Sequence, residues 1–251
     1  MPQANGQPVA LLASEIKFLV SRDEGARIRD WARAHLDPDP YGAGEFGDEY
    51  RTSSLYFDTA HHDVFHRRGS FGRSKQRIRR YGSSDVVFLE RKLRTRDVVH
   101  KRRTPVAIAD LAKLSEAESR PWPGGWFDRR VRLRQLRPVC LVSYRRTARI
   151  LGVNGHTARL TVDDDLRGNL ASDFTADSAA GVPLIDGWAI LELKFRETVP
   201  ALFRQLVEQY NLQSQPASKY RKAMSSLSEH SVRNTEATEH TEITDPKRVS
   251  P

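Results

Sequence analysis

Six short segments of the chain alternate apolar with polar side chains, and in each the polar positions fall two residues apart, on one face of an extended strand. Glu15 and Lys17 stand opposite Ile16, Phe18 and Val20; Arg77 and Arg79 flank Ile78; Glu90 goes with Lys92. Further on, Tyr144 accompanies Arg146, Arg159 and Thr161 accompany Asp163, and Glu192 with Lys194 faces away from Leu191, Leu193 and Phe195. Two geometries satisfy this pattern. One is an antiparallel sheet with a wet face; the other is a closed or nearly closed barrel whose polar faces converge on a lumen while helices cover its apolar outside. The residue types favour the barrel. A wet face accepts Ser, Thr, Asn and Gln freely, yet these positions are dominated by Arg, Lys and Glu, and gathering cations in a lumen is costly unless a multivalent anion compensates them. The expected fold class is α+β, an antiparallel β-barrel with a polar, basic lumen flanked by helices.

Charge is concentrated in the same region. Residues 67–103 hold fourteen Lys and Arg against Asp85, Glu90 and Asp97, a local net of +11, so the rest of the chain carries −2 of the overall +9. A field so localised attracts polyanions, whether nucleic acid, anionic lipid or polyphosphorylated small molecules. A nucleic-acid module would interleave exposed aromatics with its arginines. Between Arg73 and Arg103 there are only Tyr81 and Phe88, and no nucleic-acid partner is expected. No apolar run approaches the roughly 18 residues of a membrane span, and residues 9–13 are too short for a signal-peptide core. With Cys140 as the single cysteine there is neither an internal disulfide nor a cysteine metal cluster, and a reducing cytoplasm is the expected compartment.

Three helices are predicted. Ser21 and Glu24 form a capping box ahead of Ile28, Trp31, Ala32 and Leu36. A short helix fits residues 108–114, and Pro200 opens a third with Phe203, Leu206, Val207 and Tyr210 on one stripe. Residues 121–126, with two prolines and two glycines, read as a loop. The polar, aperiodic ends predict disordered tails over residues 1–12 and 226–251, leaving one functional domain over 13–225. Asp58 either fixes a turn or binds metal, and His61, His62, His66 and His100 lack metal-ligand spacing.

At this point the sequence resembles the VTC domain, the polyphosphate-polymerase branch of the CYTH-like triphosphate tunnel superfamily, over residues 13–224. The carriers, in order, are Glu15-Ile16-Lys17-Phe18, Ser54-Leu55-Tyr56-Phe57-Asp58, Arg77-Ile78-Arg79-Arg80-Tyr81-Gly82, Phe88-Leu89-Glu90-Arg91-Lys92 and Lys101-Arg102-Arg103. They continue with Tyr144-Arg145-Arg146-Thr147-Ala148, Arg159-Leu160-Thr161-Val162-Asp163, Leu191-Glu192-Leu193-Lys194 and Ser218-Lys219-Tyr220. The resemblance implies a triphosphate tunnel that transfers the γ-phosphate of ATP, with Mn²⁺ or Mg²⁺, onto a growing inorganic polyphosphate chain. It assigns Arg77, Arg79, Lys92, Arg146, Arg159 and Lys194 to the catalytic wall, Lys17, Lys101, Lys219 and Tyr144 to phosphate binding, and Glu192 to the metal. Glu90 or Glu15 is a second metal candidate. Lys101 and Lys219 lie outside the alternating strands and rest on the resemblance alone.

The chemistry suits those residue types. Phosphoryl transfer needs in-line positioning and charge stabilisation, arginine grips phosphate oxygens bidentately, and an anionic acceptor phosphate requires no general base. The tunnel hydrolases and cyclases open with Glu-x-Glu-x-Lys, whereas here Ala13 stands two before Glu15, which fits the polymerase branch better than a triphosphatase. Eukaryotic members carry a phosphate-sensing SPX domain and membrane helices. Without either, coupling to translocation would require a separate membrane protein. A polyphosphate receptor without catalysis is the remaining alternative.

Overall fold

The computed structural model describes residues 13–95, 98–114, 121–174 and 181–242. The elements follow as β1 (Ala13–Ser21), α1 (Arg22–His35), β2 (Asp37–Pro38), β3 (Glu49–Asp58), a 3-10 turn (Gly69–Arg73), β4 (Ser74–Tyr81), β5 (Val86–Thr95) and β6 (Val98–Ala107). A second 3-10 turn (Ile108–Leu114) leads to α2 (Gly125–Leu133), β7 (Arg137–Val153), β8 (His156–Leu170), β9 (Val182–Pro183), β10 (Trp188–Arg196), α3 (Ala201–Gln209) and α4 (Lys219–Glu242). The strands form one antiparallel sheet in the order β1-β10-β8-β7-β3-β4-β5-β6, with β2 beside β7 and β9 beside β8. All six alternating segments of the sequence lie on its strands.

The sheet curls into a tunnel. Lys92 on β5 lies 3.6 Å from Glu15 on β1, although five strands separate β5 from β1 in the sheet order. The gap beyond β1 is bridged by the chain after α3, where Ser214 pairs with Phe18, the Gln215 N–H donates to the Lys17 carbonyl (2.9 Å) and Ser218 accepts from Lys75 (2.8 Å). The longest hairpin, β7–β8, turns on Asn154-Gly155, both at positive φ (48° and 73°), with Val153 facing His156. Two residues with φ > 0 give a turn whose twist matches that of the strands, and Asn-Gly is the pair that tolerates it.

Apolar faces point outward and are covered in two places. Against α1 and α3, Phe18, Val20, Leu160, Val162, Leu191 and Leu193 pack with Ile28, Trp31, Phe203 and Leu206. Against α2, Leu55, Phe57, Ile78, Val87, Leu89 and Val106 pack with Phe127. The same second cluster takes in Tyr144 and Ile190, which share strand faces with Arg146 and Glu192, and Tyr220, Ala223, Met224 and Leu227 of α4. That helix thus packs over one end of the concave face. The predicted capping box is present: the Glu24 N–H donates to Ser21 Oγ (3.2 Å) and the Ser21 N–H to Glu24 Oε2 (3.1 Å).

Three expectations need correction. Residues 121–126 are not wholly a loop, since Gly125 and Trp126 begin α2. The compact start depends on Gly124, where a Cβ would fall 2.2 Å from the Trp122 ring. The short helix over residues 108–114 is a 3-10 turn rather than an α-helix. Residues 226–242 are helical as the continuation of α4, because Ala223, Met224 and Leu227 anchor its first turns in the core. The tails at 1–12 and 243–251 lie outside the described residues.

Candidate functional site

Strand register decides which charged residues share the concave face. Lys17 sits opposite Glu192, and Glu192 opposite Thr161; Arg146 faces Asp163; Tyr56 and Ser54 of β3 face Arg77 and Arg79 of β4; Arg77 in turn faces Glu90 of β5. Lys92 faces Lys101 of β6, and Lys219 enters from the first turn of α4. The thirteen side chains singled out in the sequence therefore line one surface. Lys101, which looked irregular in sequence, lies on a strand whose alternation is broken by the run Lys101-Arg102-Arg103.

Three carboxylate centres organise the cations. Asp163, fully buried, receives Arg146 through Nε and Nη2 (2.5 and 2.7 Å) and Lys219 Nζ (2.6 Å). Burial alone would raise its pKa, but Arg146 and Lys219 hold it well below the usual carboxylate range. Glu90 receives Arg77 (2.7 Å), Lys101 (3.0 Å) and Arg103 (3.4 Å), and against the same cost of burial Arg77, Arg79 and Lys101 keep its acid form disfavoured. Glu192 receives Lys17 (2.6 Å) and Lys194 (2.5 Å), while Glu15 also pairs with Lys17 and lies 3.9 Å from Lys194. Burial opposes ionisation of Glu192, and Lys194, Lys17, Arg146 and Lys219 overcome it. Arg159 is tied to Asp39 (2.8 Å) and the Tyr50 hydroxyl (2.5 Å), and so belongs to the wall of the concave face rather than its centre.

Cations still outnumber these carboxylates. Arg79 is buried yet makes no ion pair among the described residues; its guanidinium reaches the hydroxyls of Ser54 (3.1 Å) and Tyr81. Lys75, one step further along the row of Arg77 and Arg79, donates to Ser218. Burial lowers its pKa, and Lys92, Lys17 and Arg77 lower it further. Lys75 was missed in the sequence because the alternation was read from Gln76 onward. Extending it by one residue finds it. Arg103 is hidden for a different reason: the run Lys101-Arg102-Arg103 masks the alternation of β6.

Neutral groups complete the surface. Tyr144 is fully buried with Lys219 Nζ 4.8 Å and the Arg146 guanidinium 5.4 Å from its ring centroid. Its hydroxyl, Thr52 Oγ1 and Thr161 Oγ1 are buried with no protein hydrogen-bond partner, which leaves them available to a water molecule or a bound ligand. Asp58 is excluded from the site. Its carboxylate accepts the backbone N–H groups of Thr59 (2.7 Å), Val64 (2.8 Å) and Phe65 (2.9 Å) and the Tyr220 hydroxyl, which makes it the clasp of the turn after β3.

A hard divalent cation takes one or two carboxylates and completes its shell with phosphate and water oxygens. Glu15 and Glu192 suit that role as a pair: they stand diagonally on adjacent strands, share Lys17 and Lys194, and have the unpartnered Thr161 hydroxyl in register beside Glu192. Glu90, the other metal candidate, shares none of these partners and is held by Arg77, Lys101 and Arg103, so it is set apart from the pair. Among the described residues no three Asp, Glu, His or Cys side chains converge as a metal cluster, and no helix is long and apolar enough to cross a membrane.

Comparison with known proteins gives a match to the VTC domain over residues 12–228. A candidate adenylate cyclase from Bacillus halodurans shares the fold, with a TM-score of 0.52 at 15% identity over 83% of this chain and 94% of that one. A candidate adenylyl cyclase from Hippeastrum, described as having a dominant triphosphatase activity, aligns over 84% of this chain and 94% of that one (TM-score 0.46, 16% identity). A candidate adenylate cyclase from Vibrio parahaemolyticus aligns over 86% and 98% (TM-score 0.47, 12% identity). No curated protein matches the chain.

Proposed function

The chain belongs to the VTC-domain family, and from that premise we propose that it is a polyphosphate polymerase that moves the γ-phosphate of ATP onto an inorganic polyphosphate chain. The observation that carries this reading is the excess of cations on the concave face, above all Arg79 and Lys75, which are bonded to hydroxyls and lack an ion pair among the described residues. Two desolvated cations without a carboxylate are costly to fold, and a multivalent anion threaded past them offsets the cost. A tunnel long enough to set Lys75, Arg77 and Arg79 in one row suits a linear phosphate chain better than a compact monophosphate.

The residues divide the work by position. Arg77 and Arg79 on β4 and Arg146 on β7 present planar forks that fit phosphate oxygens two at a time. Arg146 is already oriented by Asp163, and Arg77 by Glu90, so neither needs to reorganise as charge shifts during transfer. Lys17, Lys92, Lys101, Lys194 and Lys219 supply point charges around the path, and the hydroxyls of Tyr144 and Thr161 can donate to phosphate oxygens. Mn²⁺ or Mg²⁺, held by Glu15 and Glu192, would contribute charge neutralisation on the transferring group when bound. A terminal phosphate is a nucleophile as it stands, so the transfer needs no general base.

The test is to incubate the purified chain with ATP and Mn²⁺ or Mg²⁺ and resolve the products. ADP with long-chain polyphosphate, lost in a folded Glu192→Ala variant, is the expected result. Free phosphate without polymer would replace this reading with a tunnel triphosphatase, and tight polyphosphate binding without turnover would replace it with a receptor.

A further inference from the structure

A second group of arginines lies outside the tunnel. Arg91 alternates with Glu90 and Lys92 on β5, and Arg102 with Lys101 and Arg103 on β6, so both point away from the concave face. They occupy directly opposed positions of the two strands. Like charges opposed across an antiparallel pair are destabilising. Over them lies α2, whose Arg130 and, one turn on, Arg134 complete the group. Like charges four apart on a helix repel as well.

Neighbouring groups fix these arginines without neutralising them. Arg102 stacks on the Trp126 ring (4.4 Å to the centroid) and Arg134 on Phe71 (3.8 Å). Arg134 also donates to Ser70 Oγ (2.7 Å), and Arg91 reaches Ser74 Oγ at 3.4 Å. Arg130 Nε is buried with no hydrogen-bond partner. Among the described residues no carboxylate pairs with any of the four. The charge on Arg91 is disfavoured first by burial and then by Arg130, Arg134 and Arg102. The helix dipole accounts for cations in the last turn of α2. It does not account for the half-buried Arg91 and the exposed Arg102 on the strands beneath, which the Ser74 hydroxyl and the Trp126 ring hold side by side.

We propose that this outer face, centred on Arg91, Arg102, Arg130 and Arg134, is a second anion site that takes a condensed inorganic phosphate such as tripolyphosphate or a segment of a longer chain. Four guanidinium groups from two strands and a helix make a multidentate cradle for phosphate oxygens. Each of the two aromatic rings already carries an arginine over one face, which leaves less room for a base to stack and favours phosphate over nucleic acid. The proposal goes beyond the tunnel reading and does not depend on it, because the two faces are separated by the sheet.

Titration of tripolyphosphate into the full chain at low salt, without divalent metal, tests it. Two binding events are expected in the native protein. Arg91→Gln with Arg102→Gln removes the outer event, or weakens it by roughly tenfold or more, and leaves ATP turnover unchanged. Arg79→Ala weakens only the tunnel event, so failure of one site is distinguishable from failure of the other. Thermal unfolding without ligand gives an independent reading: relief of like-charge repulsion leaves the Tm of the double variant equal to or above the native value. Should the double variant not fold, Arg102→Gln alone, on the end strand β6, carries the same expectations. A single binding event abolished by Arg79→Ala, or tighter binding of a single-stranded oligonucleotide than of tripolyphosphate at the outer face, overturns the proposal. So does an unchanged titration accompanied by a lowered Tm, the mark of a purely structural role.

Discussion

Asp58 was open to two readings in the sequence, a turn former or a metal ligand, and what separates them is the set of donors around its carboxylate. Three backbone N–H groups and the Tyr220 hydroxyl fill its acceptor sites, so no coordination site remains. Tyr220 responds in kind: burial and the hydrogen bond to Asp58 push its hydroxyl well above the usual tyrosine range. Replacing Asp58 with Ala strips these buried donors at once, and a loss on the order of 4 kcal/mol is expected, readable as a fall in the urea midpoint. A change below about 1 kcal/mol would show that the turn holds without it. Cys140 is shifted in the same direction. Buried, and facing the charge of Asp58, its thiol is pushed up to about 12, and it is expected to resist thiol reagents in the native protein while reacting fully in denaturant.

Elements differ in how openly the sequence declares them. The start of α1 is local chemistry, readable from Ser21 and Glu24 alone, and Ser21→Ala is expected to cost about 1 kcal/mol in thermal or chemical unfolding. The β4, β8 and β10 strands are equally plain because their alternation is unbroken over the residues used. Strand β6 is hidden by Lys101-Arg102-Arg103, in which the outward Arg102 is as polar as its inward neighbours. A second concealment lies in β8. The ladder with β7 shifts register between Ser143 and Arg145, with Asp165 at φ 48°, so that Leu166 rather than Asp165 follows Asp163 onto the inner face. A bulge of this kind changes the alternation by one residue and cannot be read from period 2 alone. Helix α4 escaped because its apolar anchors, Tyr220, Ala223, Met224 and Leu227, are followed by a long polar stretch that resembles a tail.

At the scale of the whole molecule, the tunnel is an electrostatic balance. Glu192, Glu90, Asp163 and Glu15 are all buried to a degree that would raise their pKa values, and in all four the surrounding Lys and Arg win and lower them. Folded-state values below the ordinary ones mean that the stabilisation is complete above the ordinary carboxylate range and is lost as pH falls through it toward the depressed values. Melting temperature is therefore expected to hold near neutrality and to drop progressively below about pH 4.5. A melting temperature flat down to pH 3 would contradict the ion-pair account. The alternation of Arg, Lys and Glu, with helices to cover the apolar sides, was enough to determine strands that gather their charged side chains on one face and their apolar ones on the other, because side-chain direction along a strand follows from backbone geometry alone. What only the tertiary structure decided is which carboxylates meet. Glu15 and Glu192 converge while Glu90 stands apart, and Lys219 arrives at Asp163 from a helix, since such encounters depend on strand order, register and the curl of the sheet, which no local pattern encodes.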